Sequence, residues 1–173
     1  MKNYLYVDTE TTGLDPKTDE IISVSVLDNE NKCLYHSLLK PVHKTEWHEA
    51  MQINKITPEM VKHAPTFDMV KDHLRDIFSD QCIVFYNKVF DEAFLKDTLT
   101  TAKELSCCMV RYAEFINGEW DTEANCYKRI RLVDAVKNVA PNFHYQAHDS
   151  LEDCKATREV WQFLEKQQKE YMN

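Results

Sequence analysis

No run in this chain is apolar for long enough to cross a bilayer, and the stretch MKNYLYVDTE reaches acidic residues after only a few apolar positions. Both a membrane-spanning helix and the apolar core of a secretory leader are therefore missing, and the chain is expected to be soluble and cytoplasmic. CxxC spacing is missing too, since Cys33, Cys82, Cys107, Cys108, Cys126 and Cys154 are scattered. They read as reduced thiols rather than disulfide staples. A basic surplus is also lacking. The net charge is −8, which taken alone argues against a broad basic surface for gripping a polyanion. A carboxylate cluster that binds divalent cations would reverse the local field, so acidity by itself decides nothing. There are no internal repeats or low-complexity tracts. What is present is 173 residues with 43% hydrophobic content, enough for one packed domain over 1–173 and too little for two.

Tyr4 to Val7 is an apolar, aromatic-rich strand that runs into Asp8-Thr9-Glu10 and stops at Gly13 and Asp15-Pro16. Ile21 to Leu27 alternates β-branched residues with serines, Asp28 to Asn31 makes a polar turn, and Cys33 to Leu39 returns before Pro41. This predicts an antiparallel meander. Pro41 to Pro65 is irregular, apart from a short helix through His63 with Thr57 as N-cap and Pro58 at its first position. Thr66 then caps an amphipathic helix in which Phe67, Val70, Leu74 and Ile77 recur at helical spacing. Cys82 to Tyr86 is the next strand, and another helix begins near Phe90. Glu114 to Arg131 has the weakest periodicity and reads as a loop or excursion. Leu132 to Val139 is a short helix, Pro141 to Ala147 a loop, and Leu151 to Tyr171 a long closing helix with Val160, Trp161 and Leu164. Trp161 reads as core, whereas Trp47 and Trp120 lie in irregular segments and could be core or surface. The order of elements gives an α/β fold, a mixed sheet flanked by helices.

Asp8 and Glu10 lie two apart on a strand, so both carboxylates project from the same face. Two adjacent negative charges suit a hard cation such as Mg²⁺ or Mn²⁺, although a solvated strand end would also accommodate them. Asp91 follows the Cys82–Tyr86 strand, where open α/β sheets place ligands, and it could equally favour a helix start. In His148-Asp149-Ser150-Leu151-Glu152-Asp153, Asp149 and Glu152 match a capping box. Capping leaves His148 and Asp153 free to share a site. An imidazole can accept a proton from water near neutral pH, though a lone histidine before a helix is more often structural.

Val7-Asp8-Thr9-Glu10-Thr11-Thr12-Gly13-Leu14-Asp15, Asn87 to Asp91 with Phe94-Leu95, and His148 to Asp153 resemble, in order, the three motifs of the DEDD superfamily of 3′→5′ exonucleases. This is the proofreading-exonuclease group with a ribonuclease H-like fold. The histidine five residues before the last aspartate resembles the DEDDh branch. The resemblance extends to Ile56-Thr57-Pro58-Glu59-Met60 and Leu132-Val133-Asp134-Ala135. It implies metal ligation of two Mg²⁺ or Mn²⁺ ions by Asp8, Glu10, Asp91 and Asp153, with His148 as general base. It places substrate contacts at Thr11, Gly13, Leu14, Ile56, Asn87 and Phe90. Two departures bear on the pocket around the terminal nucleotide. Lys55 stands where many relatives have glycine, and Tyr86 where many have histidine.

The implied reaction releases nucleoside 5′-monophosphates from a strand's 3′ end. The first motif looks more like those of proofreading and repair exonucleases than like the RNA-trimming branches, which favours single-stranded DNA over RNA. Stacking on Leu14 and Phe90 would accept any base. A polymerase or repair protein is the further partner implied. Lys88, Lys128, Arg129 and Arg131 are candidates for gripping the backbone, against the plainer reading of a solvated surface.

Overall fold

The computed structural model describes residues 3–172, so Met1 and Lys2, which open the stretch read for a leader, lie outside it. Alternation along β1 (Tyr4–Thr11) sets up two layers. Tyr4 and Tyr6 face one hydrophobic cluster, and Leu5 and Val7 face another. The expected meander is present, with β2 (Ile21–Leu27) and β3 (Cys33–Leu38) running antiparallel beside β1. Asn31 turns the hairpin at φ 68°, while the Asp28 carboxylate accepts the Glu30 and Lys32 N–H groups. On the other side of β1, β4 (Cys82–Phe85) and β5 (Glu104–Cys107) pair in parallel, giving the order β3-β2-β1-β4-β5.

Helices cover both faces of this mixed sheet. On the Leu5–Val7 face lie α3 (Phe67–Phe78) and α4 (Lys88–Leu95). From α3, Val70, Leu74 and Phe78 are buried, each worth about 1.5–3 kcal/mol of removed apolar surface. On the Tyr4–Tyr6 face lie α5 (Cys108–Phe115), α6 (Leu132–Val139) and the long α7 (Ser150–Met172). Trp161 of α7 sits edge-on to Tyr4 at 5.3 Å, the core position expected for it. Among the described residues no helix is long and apolar enough to cross a membrane.

The segment 41–65 is more ordered than its sequence suggests. It holds α1 (His48–Asn54) and α2 (Pro58–Val61), which bury Trp47, Ile56 and Val61 with Ile22. Thr57 caps α2 by accepting the Met60 N–H, and the helix ends two residues before His63. Thr66 occupies the N-cap position of α3 without a side-chain bond. Lys55 has φ 61°, the left-handed conformation that glycine adopts most cheaply. The segment read as a loop over 114–131 contains the end of α5 and a two-stranded ribbon, β6 (Trp120–Asp121) and β7 (Cys126–Tyr127).

Candidate active site

Strand parity places Asp8 and Glu10 on the face of β1 that carries Tyr4 and Tyr6, the face crossed by α7. The residues paired with them on β2 are Ser25 and Ser23. These small side chains let the start of α7 approach, and both hydroxyls lie 2.7 Å from the Ser150 hydroxyl. Asp149 caps the helix by accepting the Leu151 and Glu152 N–H groups at 3.0 and 3.1 Å. Glu152 pairs with Lys155 instead of reaching back, so the box is half made. One turn on, the buried Asp153 carboxylate accepts the His148 N–H at 3.0 Å.

Asp91 comes from the opposite layer, in the first turn of α4. It caps nothing. Its Oδ1 accepts the Thr9 N–H at 3.0 Å and the Thr9 hydroxyl at 2.8 Å, and it is only 3% exposed. Thr9 thus fixes Asp91 beside the strand that carries Asp8 and Glu10. His148 is exposed at φ 65°, and ligand atoms of Glu10, His148 and Asp153 all lie within 4.8 Å of one another.

Asn54 is a site residue that the sequence reading missed. It is buried at the end of α1, donates to the Glu10 carboxylate and the Thr11 carbonyl, and accepts the Ile56 N–H at 3.1 Å. Its position just before Lys55-Ile56-Thr57 was the available signal. Among the proposed substrate contacts, Leu14 is 83% exposed and Phe90 is half-buried against Phe94. Ile56 is buried with Trp47, so it is not open to a strand in this structure. Thr11 is buried, its hydroxyl donating to the Gly13 carbonyl at 2.6 Å. A Cβ on Gly13 would overlap the Asp19 carboxylate, which takes the Thr12 hydroxyl and the Lys44 ammonium. Asn87 is half-buried at the N-cap of α4 without a side-chain capping bond.

Burial and mutual repulsion push all four carboxylates up. Asp8 rises well above the ordinary range, through burial and then Asp91, Asp153 and Glu10. Burial with Asp153 lifts Glu10 to about 8. Burial lifts Asp91 to about 7 despite the Thr9 bonds, and Asp153 to about 7 despite the His148 N–H. No lysine or arginine among the described residues relieves them. Four hard oxygen donors without a protein cation fit a divalent metal ion and suit soft metals poorly.

These directions fix the pH dependence of stability. Each folded-state pKa lies above its unfolded value, so stability is fully present below about pH 4 and is lost as pH rises through about 7–8. In chelator the melting temperature is expected to fall between about pH 5 and 8. A divalent ion at a hundredfold excess over Kd should restore about 2.7 kcal/mol. Thermal melts at pH 6 and 8, with and without the ion, check this, and an ion-induced rise no larger at pH 8 would contradict it.

Residues 5–161 match the RNase_T exonuclease family model. An uncharacterized exonuclease, CP81, of Escherichia phage 186 is 30% identical over 165 residues, covering 88% of this chain and 83% of its own. DNA polymerase III subunit epsilon of Rickettsia conorii is 27% identical over 173 residues, covering 91% of this chain and 71% of its own. E. coli Exonuclease I in complex with a dA16 oligonucleotide shares the fold, with a TM-score of 0.75 at 18% identity. That match covers 96% of this chain and only 41% of Exonuclease I. A zinc ion bound form of an E. coli ExoI–ssDNA complex superposes with a TM-score of 0.77 at 18% identity. Members of the family generally use divalent metal ions. The match over most of its length, on a ribonuclease H-like mixed sheet, shows that the chain belongs to the RNase_T exonuclease family and is a 3′→5′ exonuclease.

Proposed function

We propose that this exonuclease, as one domain over 1–173, releases nucleoside 5′-monophosphates singly from the 3′ end of single-stranded DNA with Mg²⁺ or Mn²⁺. The observation that carries this reading is the convergence of half-buried Asp8 and Glu10 with buried Asp91 and Asp153, mutually repelling, beside an exposed histidine. The four carboxylates would hold two ions. When bound, the ions supply positive charge against the phosphate and the leaving oxygen. His148 takes a proton from the attacking water. The Thr9 hydrogen bonds hold the Asp91 carboxylate in place, and Asn54 does the same for Glu10. Leu14 and Phe90 offer apolar surfaces for the terminal bases, which any base can use.

The resemblance to polymerase epsilon subunits and the oligonucleotide-bound Exonuclease I structures support DNA over RNA. The epsilon resemblance also supports a polymerase as partner. The test uses 5′-labelled single-stranded DNA and RNA of the same sequence, with Mg²⁺ or Mn²⁺. DNA should shorten from its 3′ end at least about tenfold faster than RNA, a gap of about 1.4 kcal/mol in transition-state binding. Faster RNA shortening would move the assignment to an exoribonuclease.

A further inference from the structure

Between α5 and α6 lies the β6–β7 ribbon, which the hydrolytic site does not use. Its Trp120 is 47% exposed, with the Tyr127 ring edge-on at 4.9 Å, so the two form an aromatic corner open to solvent. Lys128, Arg129 and Arg131 follow directly, a basic group on a chain of net charge −8. Lys128 pairs with Glu119 and Arg131 with Asp134, whereas Arg129 pairs with no described residue. The root of the ribbon is fixed. The Tyr86 hydroxyl donates to the Ile130 carbonyl at 2.8 Å, tying it to the residue just before Asn87. Ile130 and Leu132 pack on the cluster containing Tyr4, Tyr6 and Tyr86, on the sheet face from which Asp8 and Glu10 project.

We propose that this ribbon is a strand-holding arm. Substrate nucleotides on the 5′ side of the scissile bond lie against Trp120 and Tyr127, with Arg129 on a phosphate. The proposal rests on the exonuclease reading of the site and deepens it. An aromatic face takes any base by stacking, and an unpaired guanidinium takes a phosphodiester. A protein partner would call for an apolar centre depleted of charge, which a ribbon flanked by Glu119, Glu123, Lys128 and Arg129 does not offer.

Two substrates separate the arm from the site: a long single-stranded DNA, and the p-nitrophenyl ester of thymidine 5′-monophosphate, which has nothing to lay on the ribbon. In Trp120→Ala the ratio of kcat/KM for the strand to that for the ester should fall about tenfold, the scale of one lost base stack, and Trp120→Phe should recover most of it. In Arg129→Gln the slope of log KM for the strand against log salt should flatten by about 0.7. Circular dichroism reports whether each variant is folded. An unchanged ratio in folded Trp120→Ala with an unchanged salt slope in Arg129→Gln overturns the arm and leaves the exonuclease reading standing. An equal fall on both substrates also overturns it, because the ribbon would then only support the site. Wild-type protein that cleaves neither substrate overturns the exonuclease reading itself.

Discussion

Asp8→Asn is expected to lower 3′-end hydrolysis by more than about 10³-fold, the scale of several kcal/mol of lost transition-state charge stabilisation. The same substitution should make the metal-free protein more stable. Asp8 is raised by burial and by four neighbouring carboxylates, so ionising it at neutral pH costs folding free energy. Asparagine keeps the shape and removes the charge. The melting temperature in chelator at pH 8 should therefore rise. The divalent-ion stabilisation should shrink in the same variant. A lower melting temperature in chelator would mean that Asp8 is held by favourable contacts, and the metal-site assignment would fail.

His148→Gln should lower kcat by about 10²–10⁴-fold, the range of one positioned general base. Because Asp153 is bound to the backbone N–H of residue 148, glutamine keeps that contact. The ion-induced rise in melting temperature should therefore persist. Loss of both activity and ion binding would show His148 to be a metal ligand, a role its place near Glu10 and Asp153 also permits, and would overturn its assignment as base. A kcat within about tenfold of wild type would exclude it from the proton transfer altogether.

The parts of this molecule most legible in its sequence are those governed by local pattern. The Ile21–Leu27 strand and the Leu132–Val139 helix were readable to the residue because periodicity and flanking turn formers agree there. The pairing of Asp8 with Glu10 followed from strand parity, whereas the approach of Asp91 could not. Asp91 is held by Thr9, a contact across 82 residues that no local pattern encodes. Asn54 was missed for a similar reason, since its role depends on how α1 packs against the end of β1. The α1 helix carries no side-chain cap and ends on left-handed Lys55, so its boundary signals are weak. The ribbon at Trp120 consists of two-residue strands, too short for alternation to show.

The carboxylates reach their meeting point from both layers of the sheet, Asp91 with α4 on one side and Asp153 with α7 on the other. Chains are made from the N-terminus, and Asp153 lies on the last helix of the described residues. A nascent chain still short of α7 would hold only three of the four acids and lack its histidine. On the proposed site, hydrolysis then requires synthesis through the start of α7 and docking of both layers, and a chain cut before His148 is expected to be inert toward nucleic acid.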